Sequence, residues 1–244
     1  MSPSTKIKPL TSNLAHLWQV NFSQQLNNIS FFLSLLSVSE KEKASRFRFK
    51  KDENQFIISR GVLRILSAQY LNICAKKIVF EYGEYGKPEF DFNSNLKFNI
   101  SHSGDMAVLA FVLNYDIGAD IEKIKDNFDV LDIASNYFSK AEIDTLKKLP
   151  KEKHVNSFYR CWTRKESFIK AKSLGLTFPL DSFSVCINSG KKTELLETKW
   201  DEAEKNTWKL FTFSPHQNYI GAVSIKGDIK SVEYFNFNDY NFIH

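Results

Sequence analysis

Within residues 157–176 the chain reads SFYRCWTRKESFIKAKSLGL, and charged side chains interrupt an otherwise apolar stripe. Phe158, Trp162, Ile169 and either Ser173 or Leu174 recur at the spacing of one helix face, and Ser-Leu-Gly supplies a stop. Lys165 and Glu166 fall between Trp162 and Ile169, and Lys170 follows Glu166 by four residues on the same face. A carboxylate there is costly unless a cation or a water-filled cleft accepts it. Two readings stay open: an internal Glu166–Lys170 ion pair on a solvated helix edge, or a charged group set into a cleft.

A second acidic pattern lies upstream, in NYDIGADIEKIK. Ile117, Ala119 and Ile121 alternate with Gly118, Asp120 and Glu122, which predicts a strand with one greasy face. The two carboxylates then sit about 6.5–7 Å apart at their Cα atoms and repel. A hard divalent cation with oxygen ligands relieves such repulsion. Gly118 leaves bare backbone on the acidic face, where a ligand could approach. The plainer alternative is the polar face of a surface strand. As a magnesium site the pair needs help, and Glu166 is the obvious third ligand.

Three further groups carry chemistry. In SHSGD, Ser101 and His102 stand in a tight link between apolar runs, where donors converge as an anion site requires. His102 reads equally well as a turn residue bonded to its own backbone. Lys87 sits in the turn of YGKP, a position that is more often solvated surface. In the helix of SRFRFKKDENQFIISRGVLRILSAQYL, the stripe is Phe56, Leu63, Leu66 and Tyr70. Arg60 and Arg64 lie one turn apart beside it, either as an exposed flank or as ligand contacts.

The elements that position these residues belong to one large domain or two small ones. The chain has 244 residues, 43% hydrophobic and 25% charged, so it is globular and can bury a sizeable core. Its net charge of +5 suits an anionic ligand or acidic partner, but no nucleic-acid motif is present. Cys74, Cys161 and Cys186 have no pairing or zinc spacing and are expected to be reduced, buried thiols. Residues up to about 12 read as a loose arm, LAHLWQVNF as a first strand, and residues 29–38 as either helix or strand. FFLSLLSV is too short to span a bilayer and MSPSTKIKPL has no apolar leader, which predicts a soluble cytoplasmic protein.

An internal echo sets the architecture. Residues 98–111 line up with residues 211–224, Phe98 with Phe211 and Ser101 with Ser214, each stretch preceded at a distance by a long helix ending near a glycine. The expected fold is α+β, a pseudo-dimeric duplication of two similar halves, 1–113 and 114–244. Each half is a small antiparallel sheet packed on a long helix, with the site at the interface.

EYGKP, FNISHSG, GADIE and WTRKESFIKA, in this order and spacing, resemble the 4′-phosphopantetheinyl transferases of the surfactin-synthetase type, over about residues 39–185. The resemblance implies a monomer that moves the phosphopantetheine arm of coenzyme A, with Mg²⁺, to a serine of an apo acyl or peptidyl carrier protein. Adenosine 3′,5′-bisphosphate would be released. It implies Asp120, Glu122 and Glu166 as Mg²⁺ ligands, and Lys170, Lys87, Ser101 and His102 at the phosphates. Arg60 and Lys43 would lie near the nucleotide. Residues 1–113 would contact CoA, and residues 114–244 would bring the metal and the catalytic pair Glu166 and Lys170. Glu166 would accept the serine proton, directly or through a water. The acceptor would dock against residues 123–153 and 165–180, its acidity matching the positive balance. A Mg²⁺-dependent phosphohydrolase acting on CoA-like diphosphates would use the same acids, and a non-catalytic module would be expected to have lost one of them.

Overall fold

Apolar periodicity places most of the elements, seen in a computed structural model that describes residues 7–175, 177–188 and 193–241. In the first half, β1 (Leu14–Asn21) leads to α1 (Ile29–Leu35), α2 (Val38–Ser45) and the long α3 (Lys50–Leu71). The short strands β2 (Phe80–Tyr82) and β3 (Pro88–Phe90) precede the hairpin of β4 (Leu96–Ser103) and β5 (Met106–Leu113). In the second half, β6 (Ile117–Lys123) leads through α4 (Val130–Tyr137) and α5 (Lys140–Lys148) to the long α6 (His154–Lys172). Then follow β7 (Phe183–Val185), β8 (Leu195–Thr198), the hairpin β9 (Trp208–Phe213) and β10 (Tyr219–Lys226), and finally β11 (Ser231–Asn236).

Each half has its sheet and its long helix. The first sheet runs β11-β1-β5-β4 and the second β6-β10-β9. The echoed stretches become the hairpins β4–β5 and β9–β10, so the duplication is structural. The first sheet departs from the all-antiparallel expectation, because β11 crosses back and pairs with β1 in parallel. Neither long helix ends on a glycine. Asn72 (φ 53°) and Ser173 (φ 56°) take the left-handed capping position, which a short polar side chain tolerates.

Three apolar clusters hold the layers. Alternate residues of β5, Leu109 and Phe111, face α3 and its Leu63 and Leu66. The other face of β5, through Val108 and Ala110, packs on Ala119, Ile121 and Val223 of the second sheet. Phe168 of α6 packs with Phe183 and Trp208 in the third. Each large side chain so buried contributes about 1.5–3 kcal/mol. The greasy face of β6 is therefore the seam between the halves, which leaves its acidic face for α6.

Several local expectations are corrected. Ile7 and Leu10 of the supposed loose arm pack against the first core, while residues 1–6 lie outside the described residues. Residues 29–35 are helical. At the other end of the chain, Phe237 is buried in a short 3-10 turn, with residues 242–244 outside the described ones. Cys161 and Cys186 are buried free thiols, but Cys74 is exposed. Among the described residues no helix is long and apolar enough to cross a membrane.

Candidate active site

The two sheets meet edge to edge, β4 beside β6, through side chains instead of a backbone ladder. Asn99 accepts from the Ala119 amide at 2.9 Å, and Ser101 Oγ donates to Asp120 Oδ1 at 3.0 Å. Ser103 Oγ donates to Glu122 Oε2 at 2.7 Å and accepts from the Lys123 amide at 3.1 Å. The SHSGD hydroxyls are thus committed to the carboxylates of β6, and the strand alternation of Asn99, Ser101 and Ser103 makes this possible.

Across from β6 lies α6. An added Cβ at Gly118 would stand 2.0 Å from the Ser167 carbonyl oxygen and 2.3 Å from the Ala171 amide nitrogen. The bare backbone at Gly118 therefore admits the helix and not a ligand, correcting the sequence expectation. This close approach brings Lys170 Nζ to 2.5 Å from Asp120 Oδ1 and 3.1 Å from Ser101 Oγ. The ion pair of the sequence reading exists, but Lys170 makes it with Asp120 on β6 instead of Glu166 on its own helix.

A cleft of about 580 Å³ opens in front of this junction, lined among others by Phe56, Arg60, Lys87, His102, Glu166 and Lys170. Lys87 Nζ donates to Ser173 Oγ at 3.2 Å, which ties the YGKP turn to the end of α6. Arg60 and Lys43 share two rings: their cationic groups lie 5.4 to 5.6 Å from the centroids of Phe56 and Tyr82. Arg60 is buried, not an exposed flank, and its Nη1 has no hydrogen-bond partner. Arg64 is also buried but points away, to Glu40. Lys165, expected among docking residues, has no exposed surface and pairs with Glu142. Residue 176, in that same docking stretch, lies outside the described residues.

The electrostatics of the junction are those of crowded acids. Burial, followed by the neighbouring charge of Asp120, pushes Glu166 up to about 7. Burial also raises Asp120, against the pull of Lys170, and raises Glu122 despite the Ser103 hydrogen bond. Burial works against the charge on Lys170, but Asp120, Glu166 and Glu122 together hold its pKa above the ordinary value. Desolvation in the cleft, then the Lys170 charge, holds His102 below the usual imidazole value. Among the described residues, no three or more His, Cys, Asp and Glu stand arranged to hold a metal ion. Asp120 Oδ2 and Glu166 Oε1 are nonetheless buried without a hydrogen-bond partner.

The sequence reading missed Asn99 and Tyr82. Asn99 could have been found as an amide set between Phe98 and Ile100 in an apolar strand, where only a specific partner justifies it. Tyr82 had no such signal, because its role depends on where the short β2–β3 hairpin lands on α3.

Comparison with known proteins gives this geometry its context. Residues 18–113 match the family described as 4′-phosphopantetheinyl transferase, N-terminal, and residues 116–224 match the 4′-phosphopantetheinyl transferase superfamily. The chain is 29% identical to the 4′-phosphopantetheinyl transferase HetI of Nostoc sp. over 89% of its own length and 90% of the relative's. It is 39% identical to the 4′-phosphopantetheinyl transferase Sfp of Bacillus subtilis over 63% of this chain and 67% of that one. A putative 4′-phosphopantetheinyl transferase of Synechocystis sp. is 30% identical over 73% of this chain and 72% of its own. With both halves matched and relatives this similar over these spans, the chain belongs to the 4′-phosphopantetheinyl transferase superfamily.

Proposed function

We propose that the β6–α6 junction is the reaction centre at which this chain transfers the 4′-phosphopantetheine arm of coenzyme A to a serine hydroxyl of an apo acyl or peptidyl carrier protein. Adenosine 3′,5′-bisphosphate leaves. The observation that carries the assignment is the pair of buried, unpartnered carboxylate oxygens, Asp120 Oδ2 and Glu166 Oε1, beside a cleft large enough for part of a nucleotide.

Those orphaned oxygens test the fit of a divalent cation. With Glu122 they would make an all-oxygen donor set, the kind Mg²⁺ takes, and burial raises the pKa of all three acids. Asp120, Glu122 and Glu166 would hold the ion. Bound there, Mg²⁺ supplies charge neutralisation for the diphosphate and for the departing phosphate.

The chain's own residues do the rest. Glu166, at the meeting point of the carboxylates and the cleft, accepts the proton of the attacking serine hydroxyl, directly or through a water. Lys170, kept charged by Asp120, faces the cleft and stabilises negative charge at phosphate. Lys87, His102 and Ser101 flank the same region. Arg60 and Lys43, stacked on Phe56 and Tyr82, take the nucleotide end, with the free Arg60 Nη1 available to a phosphate oxygen. Residues 1–113 thus bring the CoA contacts and residues 114–244 the carboxylates and the helix of the base. One chain supplies both sides of the cleft, which supports action as a monomer.

The test is intact mass spectrometry of a panel of apo carrier proteins incubated with the protein, CoA and Mg²⁺, beside an EDTA control and the Glu166→Gln variant. A gain of one phosphopantetheine, lost with EDTA and in the variant, is expected. CoA cleavage without mass gain on any carrier would instead establish a hydrolase. A full gain in EDTA would refute the metal assignment.

A further inference from the structure

The two halves share a buried device that the cleft does not explain. In the first half, Ser37 caps α2 and Glu40, three residues on, closes the capping box. Glu40 Oε2 then accepts from Arg64 of α3, at 2.8 Å from Nε and 2.7 Å from Nη2. Arg64 Nη1 continues to two backbone carbonyls beyond the helix, Ala75 at 2.9 Å and Ile78 at 2.8 Å, and its guanidinium lies over the Phe80 ring. In the second half, Ser139 caps α5 and Glu142 closes the box. Glu142 Oε2 pairs with Lys165 of α6 at 2.8 Å. Lys165 Nζ continues to the carbonyls of Leu180 at 2.8 Å and Phe183 at 2.6 Å, and lies over the Phe183 ring. All four charged side chains are at most 4% exposed.

The parallel is therefore complete in kind. A capping-box glutamate on a short helix holds a buried cation on the long helix, and that cation also grips the chain just past the helix. The halves differ in the cation, arginine in the first and lysine in the second, and at one oxygen of the acid. Glu142 Oε1 accepts from the Val185 amide at 2.7 Å, whereas Glu40 Oε1 has no partner. Burying such a pair is a poor route to stability, since apolar side chains of like volume would serve as well or better. What the pair fixes is rotation and register of one helix against another.

Each clamp lies beside a different part of the cleft. Glu40 is on the same short helix as Lys43, and Arg64 lies one turn from Arg60, so the first clamp sets the two cations that stack on Phe56 and Tyr82. Lys165 adjoins Glu166 and precedes Lys170 on α6, so the second clamp sets the proton acceptor and the cation on Asp120. We propose that Arg64–Glu40 and Lys165–Glu142 are duplicated positioning pairs, the first governing the grip on CoA and the second governing turnover. This rests on the proposed roles of the cleft residues.

Glutamine can keep a capping box while removing the charge, so Glu40→Gln and Glu142→Gln separate positioning from capping. CoA affinity is read by isothermal titration calorimetry, and steady-state turnover is read with the apo carrier that the wild-type protein modifies fastest. All variants are assayed well below their unfolding midpoints. Glu40→Gln is expected to weaken CoA binding about tenfold with kcat within about twofold, and Glu142→Gln to lower kcat about tenfold with CoA affinity within about twofold. Arg64→Lys, which copies the cation of the second half, should retain CoA affinity where Arg64→Met loses it. Should Glu142→Gln fold poorly, the double variant Glu142→Gln/Lys165→Met removes both charges. It is expected to regain stability without regaining kcat. Recovery of kcat together with stability, or equal losses of binding and turnover in both halves, would overturn the proposal. A wild-type protein that binds CoA but modifies no carrier would overturn the functional reading and the second clamp with it. The calorimetry would still decide the first.

Discussion

Lys170 Nζ stands 2.5 Å from Asp120 Oδ1 across the junction of α6 and β6, while Glu166 Oε1, one turn earlier on the same helix, is buried with no hydrogen-bond partner. One acid of the site is neutralised by the protein itself and another is left open. Removing the cation leaves Asp120 buried with only the Ser101 hydroxyl on that oxygen. With Asp120 buried but Lys170 partly exposed, Lys170→Met is expected to cost about 2 kcal/mol in urea unfolding, between a surface pair and a fully buried one. Turnover should fall by about 10²-fold or more. A stability loss under about 0.5 kcal/mol, as for a surface pair, would show that Asp120 does not depend on Lys170.

Glu166 gives the folded protein a pH dependence of definite sign. Its pKa rises from 4.5 to about 7 on folding. Between those values the folded chain binds more protons than the unfolded one, so stability without metal falls as pH rises through that window. The Glu166 share is roughly 3 kcal/mol. Unfolding free energies in EDTA at pH 5 and pH 8 should show the decline, and Glu166→Gln should flatten it. An unchanged slope in the variant would remove Glu166 as its source.

Gly118→Ala is expected to push α6 off β6. Its Cβ would meet the Ser167 carbonyl oxygen at 2.0 Å, and backbone on both sides cannot yield cheaply. A loss of about 3 kcal/mol, at the upper end for overpacking, should come with a larger fall in kcat than in CoA affinity. Wild-type behaviour would mean that the helix and strand tolerate a wider spacing than the structure shows.

Lys147 and Lys148, exposed in the last turn of α5, provide the test of carrier docking. Reversing both to Glu should raise the carrier KM about tenfold with kcat and the CoA KM unchanged, and the difference should shrink with added salt. An unaltered carrier KM would move the docking face elsewhere.

The duplicated α+β fold was legible because strand alternation and helix stripes are local. Phe98 and Phe211 marked equivalent hairpins without any three-dimensional knowledge. The acids were legible for the same reason, since Asp120 and Glu122 share one face of an alternating strand and Glu166 interrupts an apolar helix stripe. The partners of charged groups were not. Whether Lys170 turns to Glu166 or to Asp120 depends on how closely α6 lies on β6, and that distance is set by Gly118, read in the sequence as room for a ligand. Arg60 and Arg64 have the same helical spacing from their neighbours, yet one meets the cleft and the other Glu40, from a helix 24 residues upstream. Lys165 is the clearest case. Its complete burial is tolerated only because Glu142 and two carbonyls from outside its helix converge on it.

The parallel pairing of β11 with β1 bears on the order in which the chain can mature during synthesis. Leu14 meets Ser231 and Gln19 meets Asn236, so an edge of the first sheet is completed by residues made more than 200 positions later. An emerging N-terminal half would wait on the ribosome with β1 open on one side, prone to pair with foreign strands, until residues 231–236 have been made. The two halves are alike in architecture, but they are not independent folding units, and the last strand is the closure that makes them one molecule.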